Sequence, residues 1–256
     1  MQVGWRIGNL FGIPLFLDSS WFIILLWATY VNSQYYQQEW GSFLAWGAGF
    51  VIAILLFCSV VFHELGHSLV AISQGIKVNS ITLFLFGGVA LIEGDHRTPG
   101  EAFQVAIAGP LVSLVLFFLL GLTSLLFPTS SLIGESINRV AEINLILGIF
   151  NIIPGLALDG GQVLKAVVWK ITGSRFTGIR WAAKIGKGLG WLGISLGLII
   201  VFTTRDYNVF LIALIGWFSL RNSRIYQHIT DLKLALINIK AVEVMTKNFR
   251  VVNADL

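Results

Sequence analysis

Charge is scarce in this chain. Only 12% of its 256 residues are Asp, Glu, Lys or Arg, about half of the roughly 25% typical of soluble domains. That shortage excludes an ordinary soluble enzyme, a disordered chain and a nucleic-acid binder. Cysteine is nearly absent: the single Cys58 excludes an intramolecular disulfide. Internal repeats and low-complexity tracts are missing as well. So are basic residues from two stretches, 32–42 and 128–136, whose only charges are Glu39 and Glu135.

The remainder is apolar. The hydrophobic share is 56%, with 27 glycines, and the mean hydropathy is +0.81. Small residues suit helices that pack closely in lipid. A bilayer core of about 30 Å needs about 20 apolar residues per helix. Six segments meet or approach that length, approximately 14–31, 43–73, 101–127, 137–158, 186–203 and 207–221. The first has no small-residue cleavage site and reads as a retained helix rather than a secretory signal. The sequence therefore predicts an all-α polytopic membrane protein with six transmembrane helices.

The charges set its orientation. Lys165, Lys170, Arg175, Arg180, Lys184 and Lys187 crowd the stretch between the fourth and fifth segments. Arg221, Arg224, Lys233, Lys240, Lys247 and Arg250 follow the sixth. The positive-inside rule assigns both stretches to the cytoplasm, so six crossings leave both termini there. Arg205 is the exception, beside Asp206. In a chain this apolar, a net charge of +4 reflects the cytoplasmic membrane surface rather than a nucleic-acid partner.

Between the second and third segments, residues 78–93 (VNSITLFLFGGVALIE) are rich in β-branched and aromatic residues around Gly87-Gly88. This is a hairpin pattern. Its apolar centre predicts a hairpin that dips into a protein-lined cavity of the membrane; a strand pair lying on the surface is the alternative. Phe86, Gly87, Gly88 and Val89 are then candidates to offer a strand edge to an extended substrate. The composition changes near residue 222. Residues 1–222 read as the membrane core, and 223–256 as a cytosolic linker leading into a new strand-like run.

The second segment contains VVFHELGHSLV. At 3.6 residues per turn, His63 and His67 lie about 40° apart on one helix face, with Glu64 on its flank. This H-E-x-x-H spacing lets two imidazoles hold one Zn²⁺ beside a carboxylate. The metal lowers the pKa of bound water toward about 7, and the carboxylate accepts its proton as general base. The alternative is that the three residues merely solvate a helix end. Catalytic zinc takes three protein ligands plus water, and Asp159 in NIIPGLALDGG is the candidate third. By pattern alone Asp159 reads equally as an N-cap of helix 160–170; the need for a third ligand favours coordination. His96 and His228 fall in polar segments and read as solvated.

At this point the sequence resembles the site-2 proteases, a family of intramembrane zinc metalloproteases. The resemblance runs over nearly the whole chain. HELGH at 63–67 and NIIPGLALDGG at 151–161 are its most specific parts, with IGNLFGIPLFLDSSW, FGGVA and AGPLVS in support. It implies a six-helix core that cleaves transmembrane helices of other proteins near the cytosolic face. It also implies His63, His67 and Asp159 as zinc ligands, Glu64 as base and Asn151 as the group steadying the substrate carbonyl. Two departures touch loop shape and substrate choice: Ala157 stands where many members have Pro, and Gln162 where many have Arg. The partners implied are the lipid bilayer and a transmembrane helical substrate, such as a membrane-tethered anti-sigma factor, in a prokaryotic cell membrane. The tail AVEVMTKNFRVV resembles the start of a CBS domain, here truncated, which implies regulation by an adenine nucleotide. A metal-ion transporter with a His/Asp intramembrane site is the alternative function, and a zinc-structured adaptor a third. A transporter needs ligands strung along a path, whereas an adaptor needs a fourth ligand.

Overall fold

A computed structural model describes residues 4–85, 87–128, 131–155, 158–205 and 209–237. The chain begins with strands β1 (Trp5–Leu10) and β2 (Ile13–Leu17), followed by helix α1 (Trp21–Ser73). Strands β3 (Lys77–Phe84) and β4 (Gly87–Glu93) precede helices α2 (Pro99–Ser124), α3 (Leu132–Ile152), α4 (Asp159–Thr172), α5 (Arg175–Thr204) and α6 (Phe210–Ile237).

The fold is mostly helical, but it is not all-α. The four strands form one sheet in the order β1-β2-β3-β4. Its two outer pairs are antiparallel and its central pair, β2 with β3, is parallel. Residues 14–17, expected to open the first helix, are strand instead. Ile13, Leu15 and Leu17 alternate inward while Pro14 and Phe16 are half-buried, a period of two that an unbroken apolar run conceals. Phe11 and Gly12, both at positive φ, make the turn back to β1. The hairpin expected over 78–93 forms as β3–β4, with Ile81 opposite Ala90 and Leu83 opposite Gly88.

A parallel pair requires a crossover, and α1 supplies it. The helix breaks at Gly41 (φ 70°, ψ 165°), a conformation costly for any residue with a Cβ. Its two arms fold back on each other. A Cβ on Gly49 would lie 2.5 Å from the Thr29 carbonyl oxygen, so the backbones touch. The stretch 32–42, expected as an outer loop, is thus helical up to the break. The second arm returns the chain to the sheet, where Leu65 and Ala71 pack with Ile13, Leu15, Leu17, Ile81, Leu83 and Val105. This core fixes the HELGH turn beside the sheet.

Among the described residues, three helices, α1, α2 and α5, are long and apolar enough to cross a membrane. Helices α5 and α6 pack through glycine: a Cβ on Gly190 would meet the Gly216 carbonyl oxygen at 2.8 Å, and one on Gly197 the Ala213 amide nitrogen at 2.6 Å. Helix α6 continues through residue 222 to Ile237. The strand-like tail lies outside the described residues.

Candidate metal centre

Helix α1 presents His63 and His67 one turn apart, both buried. Helix α4 brings Asp159 to them from 96 residues away: Asp159 Oδ2 is 2.9 Å from His63 Nε2 and 3.3 Å from His67 Nε2. The two Nε2 atoms are 3.3 Å apart. Asp159 is the first residue of α4, yet no side-chain hydrogen bond caps that helix. Its carboxylate lies against the two imidazoles instead.

The hydrogen bond behind His67 fixes its tautomer. His67 Nδ1 lies 2.6 Å from the Val105 carbonyl oxygen, which can only accept, so Nδ1 carries the hydrogen. His63 Nδ1 lies 2.9 Å from Ser113 Oγ, a hydroxyl able to donate or accept. His67 Nε2 then turns a lone pair toward the His63 ring and toward a carboxylate oxygen. Acceptors aimed at one point repel unless a cation lies between them. Ligands on bonds of 2.0–2.1 Å in a tetrahedral zinc site stand about 3.3 Å apart, close to the separations found.

Helix α2 leaves room for that cation. A Cβ on Gly109 would lie 2.2 Å from His67 Nε2 and 2.6 Å from His63 Nε2. Only the absence of a side chain at this position keeps the space open. On the other flank, strand β4 approaches Glu64: a Cβ on Gly88 would lie 2.5 Å from Glu64 Cγ. Among the described residues, His63, His67 and Asp159 are the one group of three or more His, Cys, Asp or Glu able to hold a metal ion. Donor types, spacing and vacant volume all fit zinc.

Not every predicted residue joins this centre. Gly88 touches Glu64, whereas Val89 is exposed and Gly87 sits at positive φ at the strand's start. Phe86 and Ala157 lie outside the described residues. Asn151 donates its side-chain amide to the Leu147 carbonyl of its own helix at 3.0 Å. Sequence reasoning passed over Val105 and Ser113, although Gly109 and Ser113 stand within the AGPLVS stretch it singled out.

A cavity of about 280 Å³ opens from the centre; Glu64, His67 and Asp159 line it together with His96, Gln162 and Lys165. His96, expected to be solvated, is half-buried there, and its Nδ1 is buried without a partner among the described residues. Burial holds its pKa below the usual value. Burial also pushes the Lys165 ammonium down to about 8, with Arg175 acting in the same direction. His228 is exposed, as expected.

Comparison with known proteins agrees with this geometry. The sequence profile of Peptidase family M50 matches residues 51–137 and 131–193. A protein of Synechocystis sp. described as a candidate zinc metalloprotease is 50% identical over 85% of this chain and 58% of its own length. A zinc metalloprotease of Methanocaldococcus jannaschii is 32% identical over 100% of this chain and 70% of its own. The solved structure of the site-2 protease from Methanocaldococcus jannaschii superposes with a TM-score of 0.60 at 30% identity, covering 88% of this chain and 95% of that one. The chain spans 52–58% of the length of several curated relatives it matches.

Proposed function

The chain belongs to peptidase family M50, the site-2 protease family, and from that premise we propose that it is an intramembrane zinc endopeptidase. It hydrolyses peptide bonds in transmembrane segments of other proteins, near the cytosolic face. The observation that carries this reading is the convergence of Asp159 Oδ2 with His63 Nε2 and His67 Nε2 around a gap that Gly109 keeps open. His63, His67 and Asp159 would hold the ion. When bound, zinc supplies Lewis acidity and an acidified water. Glu64, which lines the cavity beside them, accepts a proton from the attacking water and delivers it to the departing amine. Asn151 sits one turn from the end of α3, and in this reading its amide swings from Leu147 to the substrate carbonyl.

The substrate must arrive extended, because a helix hides its carbonyls in i→i−4 bonds. Strand β4 is the outer strand of the sheet, and its free edge supplies main-chain partners beside Glu64. Six crossings follow from the two arms of α1 with α2, α3, α5 and α6, both termini lying in the cytoplasm. The β3–β4 hairpin then dips between them. Residues 1–222 form the protease core of a prokaryotic cell membrane protein, and 223–256 lead into a CBS module whose nucleotide would regulate cleavage. A membrane-tethered anti-sigma factor is a substrate of the right kind. Against the transporter reading stands one compact ligand cluster, with no second station along a path among the described residues.

The test is cleavage of a single-pass helical substrate by the purified protein in proteoliposomes. Activity should vanish with a zinc chelator and return with added zinc, at about one zinc per chain. Zinc uptake into the vesicles without cleavage would overturn the reading in favour of transport.

A further inference from the structure

The cavity beside the metal centre has a second polar end that hydrolysis itself does not use. Lys165 lies six positions beyond Asp159 on α4, about 9 Å along the helix at 1.5 Å per residue. Its ammonium donates to Gln162 Oε1 at 2.8 Å, within the same helix. An ammonium carries three hydrogens, and no other acceptor is found for it among the described residues. The backbone around it is pinned, since a Cβ on Gly178 would meet the Lys165 carbonyl oxygen at 2.4 Å. Across the cavity stands the unpartnered Nδ1 of His96.

The neighbouring carboxylates are already engaged. Asp95 accepts from Arg175 at 2.6 Å. Glu101 accepts from the backbone amides of Arg97 and Thr98 at 2.8 and 3.3 Å, closing the capping box of α2. Arg175 is likewise committed to Asp95 and to the Trp169 ring. Lys165 is therefore left without a carboxylate partner among the described residues, in a cavity it shares with His96. Such a site favours a carboxylate with hydrogen-bond acceptors for both donors.

Strand β4 connects this end to the reacting bond. Its Gly88 abuts Glu64, and Ala90 and Ile92 line the same cavity as His96. Residues 88, 90 and 92 share one face of the strand. A segment paired with this edge passes Glu64 and then the Lys165–His96 end.

We propose that Lys165 and His96 form a specificity subsite for an acidic side chain, Asp or Glu, within a few residues of the scissile bond on one side of it. This rests on the reading of the chain as a protease and deepens it. Lys165 acts as a specificity residue and takes no part in bond cleavage.

The experiment uses full-length protein in proteoliposomes and a substrate helix of known cleavage position. Single Glu or Gln residues are placed two to four positions away on either side of that bond. Wild type should prefer Glu over Gln by about tenfold in kcat/KM at one position on one side, as expected for a charge-assisted hydrogen bond. Lys165→Met should erase that preference while leaving cleavage of the Gln substrate within about twofold, and Lys165→Arg should keep it. Lys165→Glu should reverse it toward a substrate bearing Arg at that position. A wild-type enzyme indifferent to Glu and Gln everywhere overturns the subsite, a result that needs no folded variant, and so does a preference that survives Lys165→Met. A wild-type protein that cleaves none of the substrates overturns the protease reading instead.

Discussion

The Cβ that Gly109 lacks would stand 2.2 Å from Nε2 of His67. A methyl group there occupies the point toward which both imidazoles and the Asp159 carboxylate turn. Gly109→Ala should therefore abolish metal binding. Alanine is the better helix former by up to about 1 kcal/mol, so α2 should remain helical. The expected outcome is a folded protein with zinc content near zero by plasma emission and no cleavage. A Gly109→Ala protein with full zinc occupancy would contradict the location of the site.

Ser113 Oγ hydrogen-bonds His63 Nδ1 at 2.9 Å from a fully buried position. This contact orients the ring without touching the metal. Groups of this kind change metal affinity by about 10–100-fold when removed. Ser113→Ala should weaken zinc binding by that factor in competition with a chelator, and Ser113→Thr, which keeps the hydroxyl, should weaken it less.

The parts of this architecture that depend on local spacing were legible in the sequence. His63, Glu64 and His67 are placed by one turn of helix, and no tertiary information is needed to see them together. Asp159 was a weaker inference, because an acid ahead of Gly160-Gly161 serves equally as a cap until α4 is docked. Strand β2 was misread as the start of a helix: an apolar run at a membrane surface has no polar face to reveal its period. His96 read as a solvated residue and Lys165 as one of the basic residues of the cytoplasmic face. Both line a cavity closed by residues of α1, β4, α2, α4 and α6, a long-range packing that composition does not carry.

Glu64 and the histidines should separate under substitution. Glu64→Gln removes the proton acceptor but none of His63, His67 and Asp159. Zinc content should stay near one per chain while turnover falls by about 10²–10⁴-fold, the usual range for a lost general base. His63→Ala or Asp159→Ala should lose both. Unchanged turnover in Glu64→Gln would remove Glu64 from the chemistry.

Gly160 holds α4 against the end of α3. A Cβ there would lie 2.0 Å from the Ile152 carbonyl oxygen and 2.4 Å from that of Ile153, so the backbones must separate. Gly160→Ala should destabilise the protein by roughly 1–3 kcal/mol, the range for overpacking, and should draw Asp159 away from the histidines. Thermal unfolding and zinc content read both effects. Gly188→Ala on α5, where nothing lies within 4 Å, is the neutral control.

The acidic-side-chain subsite carries its own pH signature. Burial pushes Lys165 down to about 8, Arg175 adds to the shift and Asp95 opposes it. Near the ammonium are Gln162 on α4, Asp95 from the β4–α2 connection and Arg175 on α5, and Glu64, His67, His96, Asp159 and Tyr226 line the same cavity. The hydrogen bond from Arg175 keeps Asp95 ionised well below neutrality, and burial keeps His96 neutral above it. Lys165 is then the member of this end that changes charge between pH 7 and 9. Its folded pKa lies below the roughly 10.4 of an unfolded lysine, so the unfolded chain binds the proton more tightly in the window between them. Stability therefore gains from this group as pH rises from about 8 to 10.4, and pays for the buried charge below it. Substrate selection moves the other way. The Glu-over-Gln ratio in kcat/KM should be full at pH 7 and fall toward one as pH passes about 8, while Lys165→Arg holds its ratio across the range. A ratio flat from pH 6.5 to 9 in the wild-type enzyme would show that the acidic side chain is read by a group other than Lys165.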